Sequence, residues 1–140
     1  MIDTKLKTMV VEDSKTNLLI AKAFLEDIGC EVIEAVNGKH AVEKFTDDIA
    51  VIFMDINMPE MDGYAATENI RSLSGGADVP IIGLSAAITC KEVLQKCLVS
   101  GMNDCMSKPI SIDVVKTKLD KWLGKNSSEW NSLQKQLDGA

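Results

Sequence analysis

The chain has 140 residues, 46% hydrophobic and 26% charged, with a formal net charge of -6. That is the size of about one domain, able to bury roughly two-thirds of its unfolded surface, and its composition excludes disorder over most of its length. The acidic balance argues against direct nucleic-acid binding, which needs a basic patch for phosphate contacts.

No apolar run approaches the roughly 20 residues needed to span a bilayer, and no basic-then-apolar leader opens the chain. Membrane insertion by this segment is not expected. Cys30, Cys90, Cys97 and Cys105 form no Cys-x-x-Cys pair, so neither a zinc motif nor a disulfide framework follows. Free thiols in apolar surroundings fit a reducing compartment, and the reading is cytoplasmic, or the cytoplasmic part of a longer protein.

After a polar start, Leu6 to Val11 reads as a strand that runs into Glu12 and Asp13. Ser14 caps a helix whose stripe is Leu18, Ala21, Leu25 and Ile28, with Phe24 beside it and Gly29 as its stop. Cys30 to Ala35 is a second, β-prone strand, and Asn37-Gly38 turns into a short helix through Ala41, Val42 and Phe45. His40 falls on that helix with no base or metal partner in view and reads as a surface residue.

Ala50 to Met54 is an unbroken apolar run that ends in Asp55, the pattern of a strand buried on both faces. Taken alone, Asp55 is either a reactive or metal-binding carboxylate or an Asp that caps a turn. Pro59 and Gly63 punctuate the loop beyond it, and Tyr64 to Leu73 reads as a helix with Ala65, Ala66, Ile70 and Leu73 inward. Val79 to Ser85 is a fourth strand, and Thr89 and Glu92 have capping-box spacing for a helix to Ser100. Asn103 to Ser107 is a short fifth strand followed by Lys108-Pro109, and Ser111 caps a last helix carrying Ile112, Val115, Leu119 and Trp122. Residues 1–124 thus form one domain, and 125–140 are a tail, a linker or a short amphipathic helix.

Five β-α units in succession predict a doubly wound α/β sandwich with right-handed crossovers. Ligands bind at the carboxyl edge of such sheets. Here that edge collects Glu12, Asp13, Asp55, Ser85 and Lys108, without a catalytic histidine or reactive thiol. Clustered carboxylates call for a raised pKa or a cation, and a hard dication with oxygen ligands is the simpler solution. Asp55 is the best candidate nucleophile for phosphoryl transfer, with Glu12 and Asp13 holding the metal, Ser85 bonding a phosphoryl oxygen and Lys108 supplying a point charge.

Over about residues 5 to 124 the chain resembles the receiver domain of two-component response regulators. The matching pieces are Val10-Val11-Glu12-Asp13-Ser14, Phe53 to Gly63, Gly83-Leu84-Ser85-Ala86 and Ser107-Lys108-Pro109-Ile110. The resemblance implies a flavodoxin-like sheet of order 2-1-3-4-5. It implies that Asp55 accepts a phosphoryl group from a histidine of a kinase or phosphotransfer protein. It also implies that Mg2+ is held by Asp13, Asp55 and the backbone carbonyl of Asn57, with Glu12 acting through water. Ser85 and Lys108 then read the phosphate, and the Lys108-Pro109 bond is expected cis.

Cys105 departs from the family, which usually carries an aromatic ring at this switch position. The face of the fourth helix, fifth strand and fifth helix is therefore expected to change less on phosphorylation. The alternative function is a receiver-like module that binds a partner without being phosphorylated. Enzymatic activity is limited to the segment's own phosphorylation and dephosphorylation, whether it is a stand-alone regulator or the receiver of a hybrid sensor histidine kinase. Its Met-Pro-Glu-Met-Asp-Gly and Ser-Lys-Pro-Ile forms lean toward the latter.

Overall fold

A computed structural model describes residues 6–58, 61–86 and 91–124. The elements alternate as β1 (Lys7–Val11), α1 (Lys15–Ile28), β2 (Glu31–Ala35), α2 (Gly38–Lys44), β3 (Val51–Asp55), α3 (Gly63–Arg71), β4 (Ile81–Ser85), α4 (Lys91–Ser100), β5 (Asp104–Ser107) and α5 (Ile112–Leu123). The strands form one parallel sheet in the order β2-β1-β3-β4-β5. The expected architecture and strand order are therefore what the chain adopts.

Strand periodicity divides the core between the two faces of the sheet. Val10, Phe53, Ile82, Leu84 and Met106 pack with Leu18, Leu25 and Ile28 of α1 and Val115 and Leu119 of α5. Met9, Val11, Ile52, Met54 and Ile81 face the other way, toward Ala41 of α2, Ala66 and Ile70 of α3 and Cys97 of α4. Every residue of β3 and β4 is buried, so a polar group on either strand is held only at its end.

Local signals set the helix ends. The Ser14 hydroxyl accepts from the Asn17 N–H, and Gly29, at φ 108°, closes α1 with its N–H on the Leu25 and Glu26 carbonyls. At α2 the Asn37 side chain accepts the His40 N–H at 2.7 Å. His40 itself is half-buried, and its Nδ1 accepts the Val36 N–H at 3.2 Å, so the ring supports the turn into α2 rather than merely facing solvent.

Besides one-residue shifts at β1, β2, α2 and the start of α3, three boundaries differ from the sequence reading. Helix α3 stops at Arg71 and buries Gly63, Ala66, Thr67 and Ile70, whereas Leu73 lies beyond its end and is 37% exposed. Strand β4 starts at Ile81, not Val79. Asn103 precedes β5, because its side-chain oxygen is committed to the Ile81 N–H and to Arg71. The Thr89 cap of α4, Pro59 in the loop after β3 and the 125–140 tail lie outside the described residues.

Candidate functional site

The ends of β1, β3 and β5 bring three of the expected side chains into direct contact. Lys108, just past β5, donates from Nζ to Asp55 Oδ1 at 2.9 Å and to Glu12 Oε2 at 3.0 Å. Glu12 and Asp55 are 2% and 1% exposed, a burial that charges tolerate only when paired. The lysine pairs with one oxygen of each acid. Glu12 Oε1 accepts the Ser14 N–H at 3.2 Å, and Asp55 Oδ1 also accepts the Asn57 N–H at 3.2 Å. Asp55 Oδ2 is buried with no hydrogen-bond partner among the described residues.

Backbone detail fixes this arrangement. The Glu12 N–H continues the β1–β2 ladder onto the Ala35 carbonyl, and the Ile56 N–H continues that of β3 onto Leu84, so both acids leave rigid strand ends. A β-carbon on Gly63 would stand 2.4 Å from the Asp55 carbonyl oxygen. Only glycine lets α3 begin this close to the end of β3. The Asp62 side chain caps α3 by accepting the Ala65 N–H at 2.9 Å. Ser85 ends β4, is 2% exposed, and accepts the Lys108 N–H on its carbonyl at 2.9 Å, which ties the lysine's backbone to the serine's. The Lys108-Pro109 bond is cis, as expected.

Burial, and then the neighbouring Asp55, push the Glu12 carboxyl up to about 7 against the opposing pull of Lys108. Burial works against the Lys108 ammonium, but Asp55 and Glu12 outweigh it and raise its pKa. One lysine thus faces an excess of negative charge. Exposed Asp13 adds to it: Glu12, Asp13 and Asp55 each offer an oxygen, all within 4.8 Å of one another. An all-oxygen donor set with an unsatisfied buried carboxylate oxygen suits a hard cation.

Asn57 is exposed and stays beside Asp55 through its N–H. Cys105 stands apart from the acids, 8% exposed among the apolar residues between the sheet and α4. Sequence reasoning missed two residues that hold the surrounding frame. Arg71 donates to the carbonyls of Gly76, Val79 and Gly101 and to Asn103 Oδ1, fastening the end of α3 to the connections before β4 and β5. Asp104 accepts from Lys118 and from the Trp122 indole, both at 2.9 Å, and binds α5 to β5.

The family model of the response regulator receiver domain matches residues 8–120. Sensor histidine kinase RcsC of Escherichia coli strain K12 is 38% identical over 112 residues, which cover 79% of this chain and 12% of that protein. Hybrid signal transduction histidine kinase H of Dictyostelium discoideum is 39% identical over 127 residues, covering 86% of this chain and 9% of that protein. The chain spans about a tenth of the length of these curated relatives.

Among solved structures, the receiver domain of sensor histidine kinase PA1611 from Pseudomonas aeruginosa PAO1 holds a magnesium ion coordinated in its active-site cleft. It superposes with a TM-score of 0.79 at 32% identity, covering 86% of this chain and 99% of that one. The receiver domain of Saccharomyces cerevisiae Ssk1, crystallised with the histidine phosphotransfer protein Ypd1, gives 0.76 at 28% identity over 87% of this chain and 91% of that one. Sheet order, buried acid cluster and family match agree, and the chain belongs to the response regulator receiver domains of two-component and phosphorelay signalling.

Proposed function

We propose that Asp55 is the phosphoacceptor of this receiver. The observation that carries the assignment is its asymmetric carboxylate: Oδ1 is engaged by Lys108 and the Asn57 N–H, while buried Oδ2 has no hydrogen-bond partner among the described residues. An oxygen without a donor keeps its lone pairs for attack on phosphorus. In the transfer an Asp55 oxygen forms the new O–P bond as the N–P bond of a phosphohistidine breaks, and the imidazole keeps the electron pair and takes a proton from solvent. Lys108 already reaches Asp55 and offers its ammonium to a phosphoryl oxygen. The Ser85 hydroxyl, at the end of the adjacent strand, donates to another.

Asp13, Asp55 and the Asn57 carbonyl are the proposed ligands of Mg2+, with Glu12 acting through water. When bound, the ion supplies neutralisation of the charge on the equatorial phosphoryl oxygens. The phosphodonor partner is a histidine kinase or a histidine phosphotransfer protein, and the parent is a hybrid sensor histidine kinase whose receiver works in the cytoplasm. The names of the kinases it resembles support that parentage. Among the described residues no helix is long and apolar enough to cross a membrane.

Incubation with acetyl phosphate and magnesium, read by intact mass, tests the assignment. One phosphoryl group should be gained by the wild type and none by Asp55→Asn. No gain by the wild type would favour a partner-binding module that is not phosphorylated. Because Cys105 offers no ring to swing, amide shifts on adding beryllofluoride should be large around Asp55 and small along α4. Equal shifts over both regions would refute a muted response.

A further inference from the structure

Alanine favours a helix over glycine, yet α2 opens on Gly38, directly after its Asn37 cap. The residue is buried, and a β-carbon on it would stand 2.6 Å from the Met61 carbonyl oxygen and 3.1 Å from both Met61 Cγ and Ala66 Cβ. The nearest of these is a backbone atom, which cannot swing aside as a side chain can. Helix α2 and the loop before α3 therefore meet at a distance that only glycine permits. That loop leaves Asp55 and returns at Gly63, where the Gly63 N–H closes its base by donating to the Ile56 carbonyl at 3.0 Å. Just beyond the base, the Asn57 N–H holds Asp55 Oδ1. Further along, Met61 Sδ accepts from the Asn69 side chain at 3.8 Å and Asp62 caps α3.

The same turn of α2 is tied to β1 on its other side. The Glu12 N–H donates to the Ala35 carbonyl at the end of β2, the Val36 N–H donates to His40 Nδ1, and the His40 N–H donates to Asn37 Oδ1. We propose that Gly38 is a positioning residue for the metal: the first turn of α2 is a spacer between the end of β1, beside which Glu12 and Asp13 lie, and the β3–α3 loop, which carries Asn57. The proposal rests on the reading that Asp13, Asp55 and the Asn57 carbonyl hold Mg2+. Asp13 and Asn57 follow different strands, and magnesium demands near-ideal octahedral geometry, so the spacing of the two loops decides how well both reach one ion. A methyl group added at Gly38 pushes the Met61 carbonyl away. With the loop clamped at Ile56 and Gly63 and with Asp62 held by its cap, the displacement passes toward Asn57. Asp55, fixed at the end of β3 and by Lys108, keeps its place. The consequence is a weaker metal site around an unaltered nucleophile.

Magnesium titration of the full chain, followed by the amide resonances of Asp13 and Asn57, reads the affinity directly and without phosphoryl transfer. Gly38→Ala, with wild-type circular dichroism, should weaken binding by about tenfold, the scale on which residues that support metal ligands act. Its uptake of phosphoryl groups from acetyl phosphate should recover the wild-type rate once magnesium is saturating. Should Gly38→Ala not fold, Asn37→Ala gives the second test: it removes only the side-chain cap of α2 and should weaken binding in the same direction, by less. Val42→Ala loosens the packing of the second turn of α2 without adding an atom against Met61, and should bind magnesium as the wild type does. Wild-type affinity in Gly38→Ala, equal losses in Gly38→Ala and Val42→Ala, or a Gly38→Ala rate that saturating magnesium leaves low would each overturn the proposal while the magnesium reading stands. A wild type that binds no magnesium would overturn both.

Discussion

Two buried carboxylate clusters at opposite ends of β5 use the same residue types to opposite effect. At the carboxyl edge, Lys108 serves both Glu12 and Asp55, and Asp55 Oδ2 has no hydrogen-bond partner among the described residues. At the other end Asp104 receives the Cys105 N–H on Oδ1 at 2.8 Å, and Lys118, Lys121 and the Trp122 indole on Oδ2. The first cluster has more acids than bases, and Glu12 is raised to about 7. The second has more bases than acids. Burial opposes ionisation of Asp104, but the Trp122 and Lys118 hydrogen bonds overcome it and lower its pKa. A carboxylate supplied with donors fastens a helix, whereas one kept short of them remains available for ligand chemistry.

The largest expected effect breaks the satisfied cluster. Asp104→Ala removes the acceptor shared by α5 and β5 and leaves the Trp122 indole without it, at a cost of about 3 kcal/mol. Urea denaturation should show a lower midpoint with an unchanged slope. A loss under about 1 kcal/mol would mean that packing of Val115 and Leu119, rather than the carboxylate, holds α5.

Glu12 gives the next effect, with the opposite sign. Its folded pKa of about 7 lies above the ordinary 4.5, so the folded state keeps a proton that the unfolded chain has lost. Stability of the magnesium-free protein should therefore fall as pH rises from about 4.5 to about 7, then level off. Glu12→Gln should flatten that fall and stabilise the protein in EDTA at pH 8 by about 2 kcal/mol. Asp104 runs the other way: its folded pKa is below 3.8, and its contribution, present above 3.8, is lost as pH falls through the lowered value. A Glu12→Gln profile parallel to wild type between pH 5 and 8 would remove Glu12 as the source.

What could be read from the sequence follows the same division. Glu12, Asp55 and Ser85 were legible because each sits at the end of an apolar run, and Lys108 because it follows a short expected strand, and a parallel sheet brings all such ends to one edge. Arg71 and Asp104 were not. The partners of Arg71 at Gly101 and Asn103 lie 30 and 32 residues away, and the indole that meets Asp104 lies 18 away, separations at which no local period operates. Leu73 misled for a related reason: its helical spacing continues past the end of α3, where Ser72 caps the helix. The division of Lys108 between two acids was likewise invisible, since the sequence shows which groups share an edge but not which atoms meet there.

The smallest effect separates the two lysines on Asp104. Lys118 lies 2.9 Å from Oδ2 with a side chain 20% exposed, whereas Lys121 lies 3.5 Å away and is 60% exposed. Solvent screens the longer, exposed pair and leaves its side-chain entropy unrecovered, so Lys121→Ala should cost under about 0.5 kcal/mol even with its ammonium 5.1 Å from the centre of the Trp122 ring. Lys118→Ala should cost about 1 kcal/mol, because its hydrogen bond is short and half-shielded. Raising the salt concentration should shrink the Lys121 difference further and leave most of the Lys118 difference in place. Equal costs for the two substitutions would show that Asp104 responds to the total positive charge on α5 rather than to one well-placed donor.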